Sequence, residues 1–183
     1  MSYLIVGTPR SGTGYTAKML QSSGIMVGHE CCLDDGISSW LCTFDSESSP
    51  YGPTRSSVFK YYGSVTQYHQ VRFPFATISS LHTEVNGRNF VNKILDVGDY
   101  CNDPVSSMKF WLLWNEQGEK TSSKSYCLER AHDFWHVPPY ENSEYNTRRK
   151  KHVDLNALRE ADRPLFDDCL DFYWDIYKRH EFR

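Results

Sequence analysis

The sequence predicts an α/β protein in which a central, mostly parallel sheet of about four to five strands lies between two layers of helices. Three observations favour this class. Short apolar runs alternate along the chain with segments whose apolar residues recur at helical spacing. A glycine-containing loop joins the first run to the first helical segment. The length of 183 residues suits one domain with a full core, so we expect a single domain over residues 1–183.

The first predicted strand, residues 3–6, is an apolar and partly β-branched run typical of a buried strand. Apolar positions then fall at helical spacing and predict a helix over residues 13–23, which Gly24 ends. A short second strand over residues 25–27 leads to Glu30. We therefore expect Glu30 at the carboxyl end of a strand, where open α/β sheets bind their ligands.

The next segment, residues 34–57, contains two glycines, two prolines and repeated serines. This composition predicts a loop with at most one helical turn, around residues 37–42. Three aromatic residues, Trp40, Phe44 and Tyr51, give the loop apolar anchors. Two interpretations stay open: an ordered wall over a binding site, or a plain surface excursion.

The rest of the chain predicts two strands and five helices. In order these are a strand over residues 64–71, helices over 74–84, 90–95 and 104–117, a strand over 125–129, and helices over 154–161 and 164–180. Pro74 suits the first position of its helix, and Asp154 suits an N-cap. A wide apolar stripe on the last helix predicts a face packed in the core.

The loop between the first strand and the first helix has the outline of a phosphate-binding P-loop. Its backbone N–H groups and the positive end of the helix dipole suit an anion. Spelled as Gly7-x4-Gly12, it departs from the ATP- and GTP-binding form at two positions. Thr13 replaces the Lys that reaches the β- and γ-phosphates, and Gly14 replaces the hydroxyl that holds Mg²⁺. Arg10 supplies the positive charge instead, so we expect a phosphate donor that works without Mg²⁺.

The same segment, Pro9-Arg10-Ser11-Gly12-Thr13, resembles the 5′-phosphosulfate loop of sulfotransferases that use 3′-phosphoadenosine 5′-phosphosulfate (PAPS). The resemblance implies a P-loop-type α/β/α fold in which the basic residue contacts the transferring sulfuryl group and the leaving phosphate oxygen. The cofactor-binding residues that it implies are Arg10, Ser11, Gly12, Thr13 and Gly14. Tyr15, where relatives often carry an aromatic residue, keeps two interpretations: stacking on the adenine, or packing in the first helical turn.

A second segment, from Val71 to Leu81, is similar to the 3′-phosphate element of that family. In that element an Arg ends a strand and a Ser follows eight positions later in the next helix. The equivalents here are Arg72 and Ser80, and the resemblance implies that they hold the 3′-phosphate that distinguishes PAPS from ATP. The family often has Asp between the Arg and the Pro, where this chain has Phe73.

A third match, Gly28-His29-Glu30, follows the first helix as the Gly-x-Glu of glutamate-type sulfotransferases does. The resemblance implies that Glu30 is the catalytic base, which accepts the proton of an acceptor hydroxyl or amine. His29 is the alternative base, because imidazole titrates nearer neutrality than a carboxyl group.

These matches cover residues 3–85 well and the remainder loosely, and the chain resembles a short PAPS-dependent sulfotransferase. We expect metal-independent, in-line transfer from PAPS to a small-molecule, carbohydrate or peptide acceptor. A non-catalytic nucleotide-binding module of the same fold stays open, as does a P-loop kinase, which the missing Lys and hydroxyl disfavour. Because the chain is short for this family, a homodimer that completes the site also stays open.

The composition argues against other classes. The net charge of −3 and the isoelectric point near 6.1 lack the basic footprint of nucleic-acid binding. No apolar run approaches the ~18 residues of a membrane span, and we expect no signal peptide, because no basic n-region precedes a long apolar stretch. The cysteines at positions 31, 32, 42, 101, 127 and 169 have neither a disulfide framework nor metal-ligand spacing, so we expect reduced thiols in a cytoplasmic protein.

Two late segments have weaker signals. The basic run Arg148-Arg149-Lys150-Lys151 is typical of a solvated face, although the resemblance also allows a loop that helps to hold the 3′-phosphate or an anionic acceptor. The segment Tyr126-Cys127-Leu128-Glu129 resembles a late strand of the family that ends in an acidic residue.

Overall fold

A computed structural model describes residues 1–47, 49–84, 86–141 and 153–179. Within these ranges the chain is an α/β protein with a five-stranded, all-parallel sheet between two layers of helices. The fold class predicted from the sequence is confirmed. The basic run at residues 148–151 lies outside the described residues.

The five strands are β1 (Ser2–Gly7), β2 (Val27–His29), β3 (Gly36–Ser38), β4 (Val65–Val71) and β5 (Lys124–Cys127). Their order across the sheet is β2-β3-β1-β4-β5, and every neighbouring pair is parallel. Leu4, Ile5 and Val6 of the central β1 are fully buried, because helices cover both faces of the sheet. The loops that follow the strands therefore meet at one edge of the sheet.

The helices of the described ranges are α1 (Thr13–Ser22), α2 (Arg55–Tyr62), α3 (Pro74–Leu81), α4 (Arg88–Ile94), α5 (Pro104–Thr121), α6 (Ala131–Trp135), α7 (Leu155–Ala161) and α8 (Arg163–Lys178). Short 3₁₀ helices cover Trp40–Thr43 and Leu128–Arg130. Helices α1 and α6 cover one face of the sheet. Helices α5 and α8 cover the other face, where α3, α4 and α7 pack against them. None of these helices is long and apolar enough to cross a membrane.

Alternating side chains of β4 show how the sheet separates two cores. Tyr68 and Gln70 lie on the side of α1 and α6, where Tyr68 packs against the apolar cluster and Gln70 bonds to α1. His69 and Val71 lie on the side of α5, where Val71 joins the larger core. Polar side chains of β4 therefore lie in both buried layers, where each needs a hydrogen-bond partner.

The sequence does not predict β3, α2 or α6, and its loop prediction over residues 34–57 is wrong for β3 and for the start of α2. Strand β3 contains one large apolar residue, Ile37, and is stabilised by pairing with β1 and β2. Helix α2 buries only Val58, so it shows no apolar stripe. The second strand also begins two residues later than predicted, which leaves Glu30 directly after its end.

Candidate active site

A cleft of about 910 Å³ opens where the loops after β1, β2, β4 and β5 meet. It is lined by Arg10, Gly12, Thr13, Gly14, Tyr15, His29, Glu30, Trp40, Tyr51, Arg72, Glu84, Leu128, Glu129, His132, Pro139 and Tyr140. Ligand-binding clefts have volumes of about 300–1,000 Å³, so this one has room for a nucleotide. Its position outside the carboxyl ends of the strands is the usual ligand site of open α/β sheets.

Most of the candidate residues from the sequence line this one cleft. These are Arg10, Gly12, Thr13, Gly14, Tyr15, Glu30 and Arg72, together with the alternative base His29. Ser11 and Ser80 are buried and do not line it. The Ser80 hydroxyl donates to the Ala76 carbonyl of its own helix at 3.2 Å. Its role at the 3′-phosphate stays a prediction and requires that hydroxyl to change partner.

The loop between β1 and α1 has an unusual backbone conformation. Gly12, the N-cap of α1, has a φ of 92°, and a β-carbon there would lie 2.6 Å from Leu128 Cδ2. Arg10 has a φ of 68°, which residues with a side chain rarely adopt. The first hydrogen bond of α1 runs from the Thr16 N–H to the Gly12 carbonyl at 3.0 Å. The N–H groups of residues 13–15 consequently have no acceptor within the helix and suit an anion.

Buried Gln70 on β4 fixes the loop to its surroundings. Its Nε2 donates to the Ser11 carbonyl at 2.8 Å. Its Oε1 accepts from the Thr16 hydroxyl of α1 and, at 2.9 Å, from the Tyr126 hydroxyl of β5. One fully buried side chain therefore joins the loop, the following helix and two strands.

The backbone before the loop and within it is held by further side chains. The Gly7 carbonyl accepts from the Trp114 indole N–H and from the Thr43 hydroxyl, each at 2.9 Å. Arg72 Nη1 donates to the Arg10 carbonyl at 3.0 Å. Sequence patterns single out Arg72 but miss Trp114 and Thr43, because contacts between distant parts of a chain leave no local pattern.

Arg72 lines the cleft and has a carboxylate nearby. Burial lowers the pKa of the Arg72 guanidinium, and the charge of Glu129 opposes that effect. The Glu129 carboxylate accepts from the Phe73 N–H at 3.1 Å and from the Tyr173 hydroxyl at 3.2 Å. A carboxylate therefore accompanies Arg72 although residue 73 itself is not acidic.

Glu30 is a largely buried carboxyl with a strained backbone. Its φ is 56°, its N–H donates to the Ser38 carbonyl at 3.2 Å, and its Oε2 accepts from the Ser39 hydroxyl. Its Oε1 is buried 3.6 Å from His29 Nε2 and accepts no hydrogen bond from the described residues. Burial raises the pKa of Glu30 to about 7; the Ser39 hydrogen bond opposes this rise, and the charge of Glu84 adds to it. A carboxyl with this pKa exchanges protons near neutral pH.

The cleft wall beside Glu30 comes from the segment predicted as a loop. The Trp40 ring is nearly fully buried and contacts the Tyr51 ring, with 6.2 Å between their centroids. The Tyr51 hydroxyl donates to Glu84 Oε1 at 3.3 Å. These contacts favour an ordered wall over a surface excursion.

Tyr15 and Tyr140 both line the cleft and are in contact with each other. The Tyr15 hydroxyl accepts from the Tyr140 N–H at 3.0 Å, and the rings meet edge to face with 6.2 Å between their centroids. Tyr15 also packs against the apolar cluster under α1, so it combines a cleft-lining position with a contact to the core.

Fold and cleft together define an α/β protein with a glycine-containing loop between β1 and α1, next to a cleft at the edge of an all-parallel sheet. Comparisons of this chain with models of known protein families, with curated proteins and with solved structures find no significant match. The chemistry of the cleft residues is therefore the basis on which a function is assigned.

Proposed function

We propose that the chain is a PAPS-dependent sulfotransferase that transfers a sulfuryl group to a hydroxyl or amine acceptor in line and without a metal. The observation that carries this proposal is the convergence of Arg10, Glu30 and Arg72, which belong to three separate sequence motifs, on one cleft. Arg10 and Glu30 are also two of the three non-glycine residues with a positive φ in the described part of the chain. Strained backbone of this kind clusters at functional sites.

In this proposal the loop between β1 and α1 binds the 5′-phosphosulfate. The N–H groups of residues 13–15 and the Arg10 guanidinium stabilise the negative charge that develops on the bridging and 5′-phosphate oxygens. Arg72 and Ser80 hold the 3′-phosphate. A guanidinium has five N–H donors, so the bond from Arg72 to the Arg10 carbonyl leaves donors for a phosphate.

Glu30 is the general base of the proposed reaction. The acceptor oxygen or nitrogen bonds to sulfur while the bond from sulfur to the bridging oxygen breaks, and the acceptor proton passes to Glu30. The products are the sulfated acceptor and adenosine 3′,5′-bisphosphate. A pKa of about 7 keeps a large fraction of Glu30 ionised at neutral pH. Its fixed position against Ser39 favours it over the more exposed His29 as the base.

The acceptor occupies the part of the cleft beside Glu30, which Trp40, Tyr51 and Glu84 line. Small molecules, carbohydrates and peptides all remain candidate acceptors, and a second subunit that completes this side stays a prediction. We propose that the reaction takes place in the cytoplasm. The six cysteines are free thiols, which is typical of proteins in a reducing compartment.

A non-catalytic nucleotide-binding module of the same fold is the second candidate. Gly14 and Phe73, the departures from the family pattern, favour it. A P-loop kinase is disfavoured, because Thr13 and Gly14 stand where a kinase loop carries Lys and a Mg²⁺-binding hydroxyl.

The release of adenosine 3′,5′-bisphosphate from PAPS, measured with pooled phenols, alcohols, sugars and amines, tests for turnover. We expect release that depends on an acceptor and that Arg10→Ala lowers by at least about 100-fold, since one lost donor to developing charge has about that effect. Glu30→Gln should lower release while nucleotide binding is kept. Tight binding of the bisphosphate without any release would instead support the non-catalytic module.

A further inference from the structure

The His29 ring lies directly against Gly14, the second residue of α1. A β-carbon at Gly14 would be 3.3 Å from His29 Cε1 and 3.4 Å from each ring nitrogen. His29 Nε2 also lies 3.4 Å from Thr13 Oγ1. The imidazole at the end of β2 therefore covers the first turn of α1, next to the N–H groups that have no acceptor in the helix.

This contact gives a physical reason for the glycine at residue 14, where the ATP- and GTP-binding form of the loop has a hydroxyl residue. P-loops that bind metal nucleotides carry a Mg²⁺-binding hydroxyl at this position. Here the side chain is absent, and the imidazole of His29 packs into the space that it would occupy. The His29 side chain is 46% exposed and lines the cleft. Imidazole gains a positive charge and a second N–H donor between about pH 8 and 5.

We propose that His29 is an anion-binding residue of the nucleotide site. In its protonated form it donates a hydrogen bond to a sulfuryl or 5′-phosphate oxygen that the N–H groups of Thr13 and Gly14 also bind. This inference rests on the proposed function, and it leaves proton acceptance to Glu30 alone. Gly14 is the residue that makes room for the ring.

The imidazole faces a carboxyl group and a hydroxyl group. From the end of β2 the Glu30 carboxyl places Oε1 3.6 Å from Nε2, and from α1 the Thr13 hydroxyl lies 3.4 Å from the same nitrogen. Arg10 lines the same cleft and adds a fixed positive charge. When ionised, Glu30 attracts the protonated ring and repels a bound anion. The effect of His29 is therefore best isolated in the Glu30→Gln variant, in which that charge is absent.

The test is calorimetric titration with adenosine 3′,5′-bisphosphate at about pH 5.5 and about pH 8, on either side of the imidazole titration. Glu30→Gln is compared with the double variant that adds His29→Gln and with the double variant that adds His82→Gln. His82 is a partly buried histidine outside the cleft. The ligand phosphates titrate near pH 6 in all variants, so only differences between variants are informative.

We expect His29→Gln to weaken binding by about tenfold near pH 5.5 and by less than about twofold near pH 8, because a charged hydrogen bond is lost only at the lower pH. His82→Gln should change neither value. In a further variant, Gly14→Ala should displace the ring and weaken binding more near pH 5.5 than near pH 8.

Equal pH dependence with and without His29, or an equal effect of Gly14→Ala at both pH values, would overturn this role and leave the nucleotide site intact. If the unsubstituted chain does not bind the bisphosphate, the role of His29 and the proposed function are both wrong.

Discussion

At the scale of single residues, Glu30 is a carboxyl whose ionisation the fold opposes. Burial raises its pKa from an ordinary 4.5 to about 7. Between those values the unfolded chain has lost the proton that the folded chain still binds, so this group destabilises the folded state progressively as the pH rises from about 4.5 to about 7. A carboxyl group kept under such conditions inside a cleft is typical of a functional site.

Glu30→Gln should therefore stabilise the protein at alkaline pH. We expect the free energy of unfolding near pH 8 to rise by up to about 3 kcal/mol, because the amide keeps an acceptor for Ser39 without the buried charge. Near pH 4.5 the change should be small. Urea denaturation at both pH values measures the effect, with Glu47→Gln at an exposed position as the control. A loss of stability near pH 8 would contradict the buried-charge account.

Arg72 gives the second prediction at this scale. Arg72→Ala should weaken the binding of adenosine 3′,5′-bisphosphate by about 10-fold to 100-fold, since a charge-assisted contact to the 3′-phosphate is lost. AMP, which lacks that phosphate, should lose much less affinity. Calorimetric titration with both ligands gives the ratio. Equal losses for both would mean that Arg72 acts only by holding the Arg10 carbonyl.

At the scale of elements, strand β4 carries two buried glutamines, one of which bonds to the cleft loop while the other bonds to residues away from it. Gln70 bonds to the loop, α1 and β5 at the cleft end of the strand. Gln67, at the other end, donates from Nε2 to the hydroxyls of Thr121 at 2.8 Å and Ser122 at 3.1 Å. Both are buried, so they form a matched pair with different neighbours.

Gln70→Met should lower both the stability and the nucleotide affinity. The substitution leaves buried polar groups of the loop and of two elements without partners, so we expect a loss of about 2–4 kcal/mol in the free energy of unfolding and about tenfold in affinity for adenosine 3′,5′-bisphosphate. Gln67→Met should lower stability alone. Unchanged affinity in Gln70→Met, measured under folding conditions, would show that the loop keeps its conformation without this side chain.

The same scale shows what a sequence does and does not predict. The β1–α1 junction and the end of β4 are predictable, because their apolar runs and loop residues are local patterns. Strand β3 is not predictable, because Ser38 and the following Ser39 suggest a loop. Both serines are buried by contacts with other parts of the chain. The Ser38 hydroxyl donates to the Thr13 carbonyl at 3.0 Å, and the Ser39 hydroxyl donates to Glu30. The hydrogen-bond partner of the Glu30 carboxyl consequently cannot be predicted before the strands are paired.

At the scale of the whole molecule, we expect stability at acid pH to depend on a buried histidine that does not line the cleft. His69 of β4 is fully buried, with Nε2 3.0 Å from Asn115 Oδ1 and Nδ1 3.1 Å from Ser125 Oγ. Burial lowers the pKa of His69 from 6.5 to about 4, against a smaller opposite effect of Asn115. The unfolded chain therefore takes up this proton first as the pH falls, and the folded state loses stability between about pH 6.5 and about pH 4.

In the Glu30→Gln variant this loss should reach about 3 kcal/mol across that range. In the unsubstituted chain the opposite slope of Glu30 offsets part of it, because the two windows overlap. Urea denaturation from about pH 7 to about pH 4 measures both slopes. Adding His69→Gln to the Glu30→Gln variant should flatten the dependence of its free energy of unfolding on pH. An unchanged slope would mean that other groups cause the loss of stability at acid pH.

The parallel sheet also explains why residues 10, 30 and 72 meet although they are distant in sequence. Each follows a different strand, and parallel strands end at the same edge. The most direct test of the resulting site is calorimetric titration of the whole chain with adenosine 3′,5′-bisphosphate, AMP, and ATP with Mg²⁺. A PAPS site predicts tight binding that depends on the 3′-phosphate and is indifferent to Mg²⁺. No binding of the bisphosphate, or a preference for ATP with Mg²⁺, would contradict it.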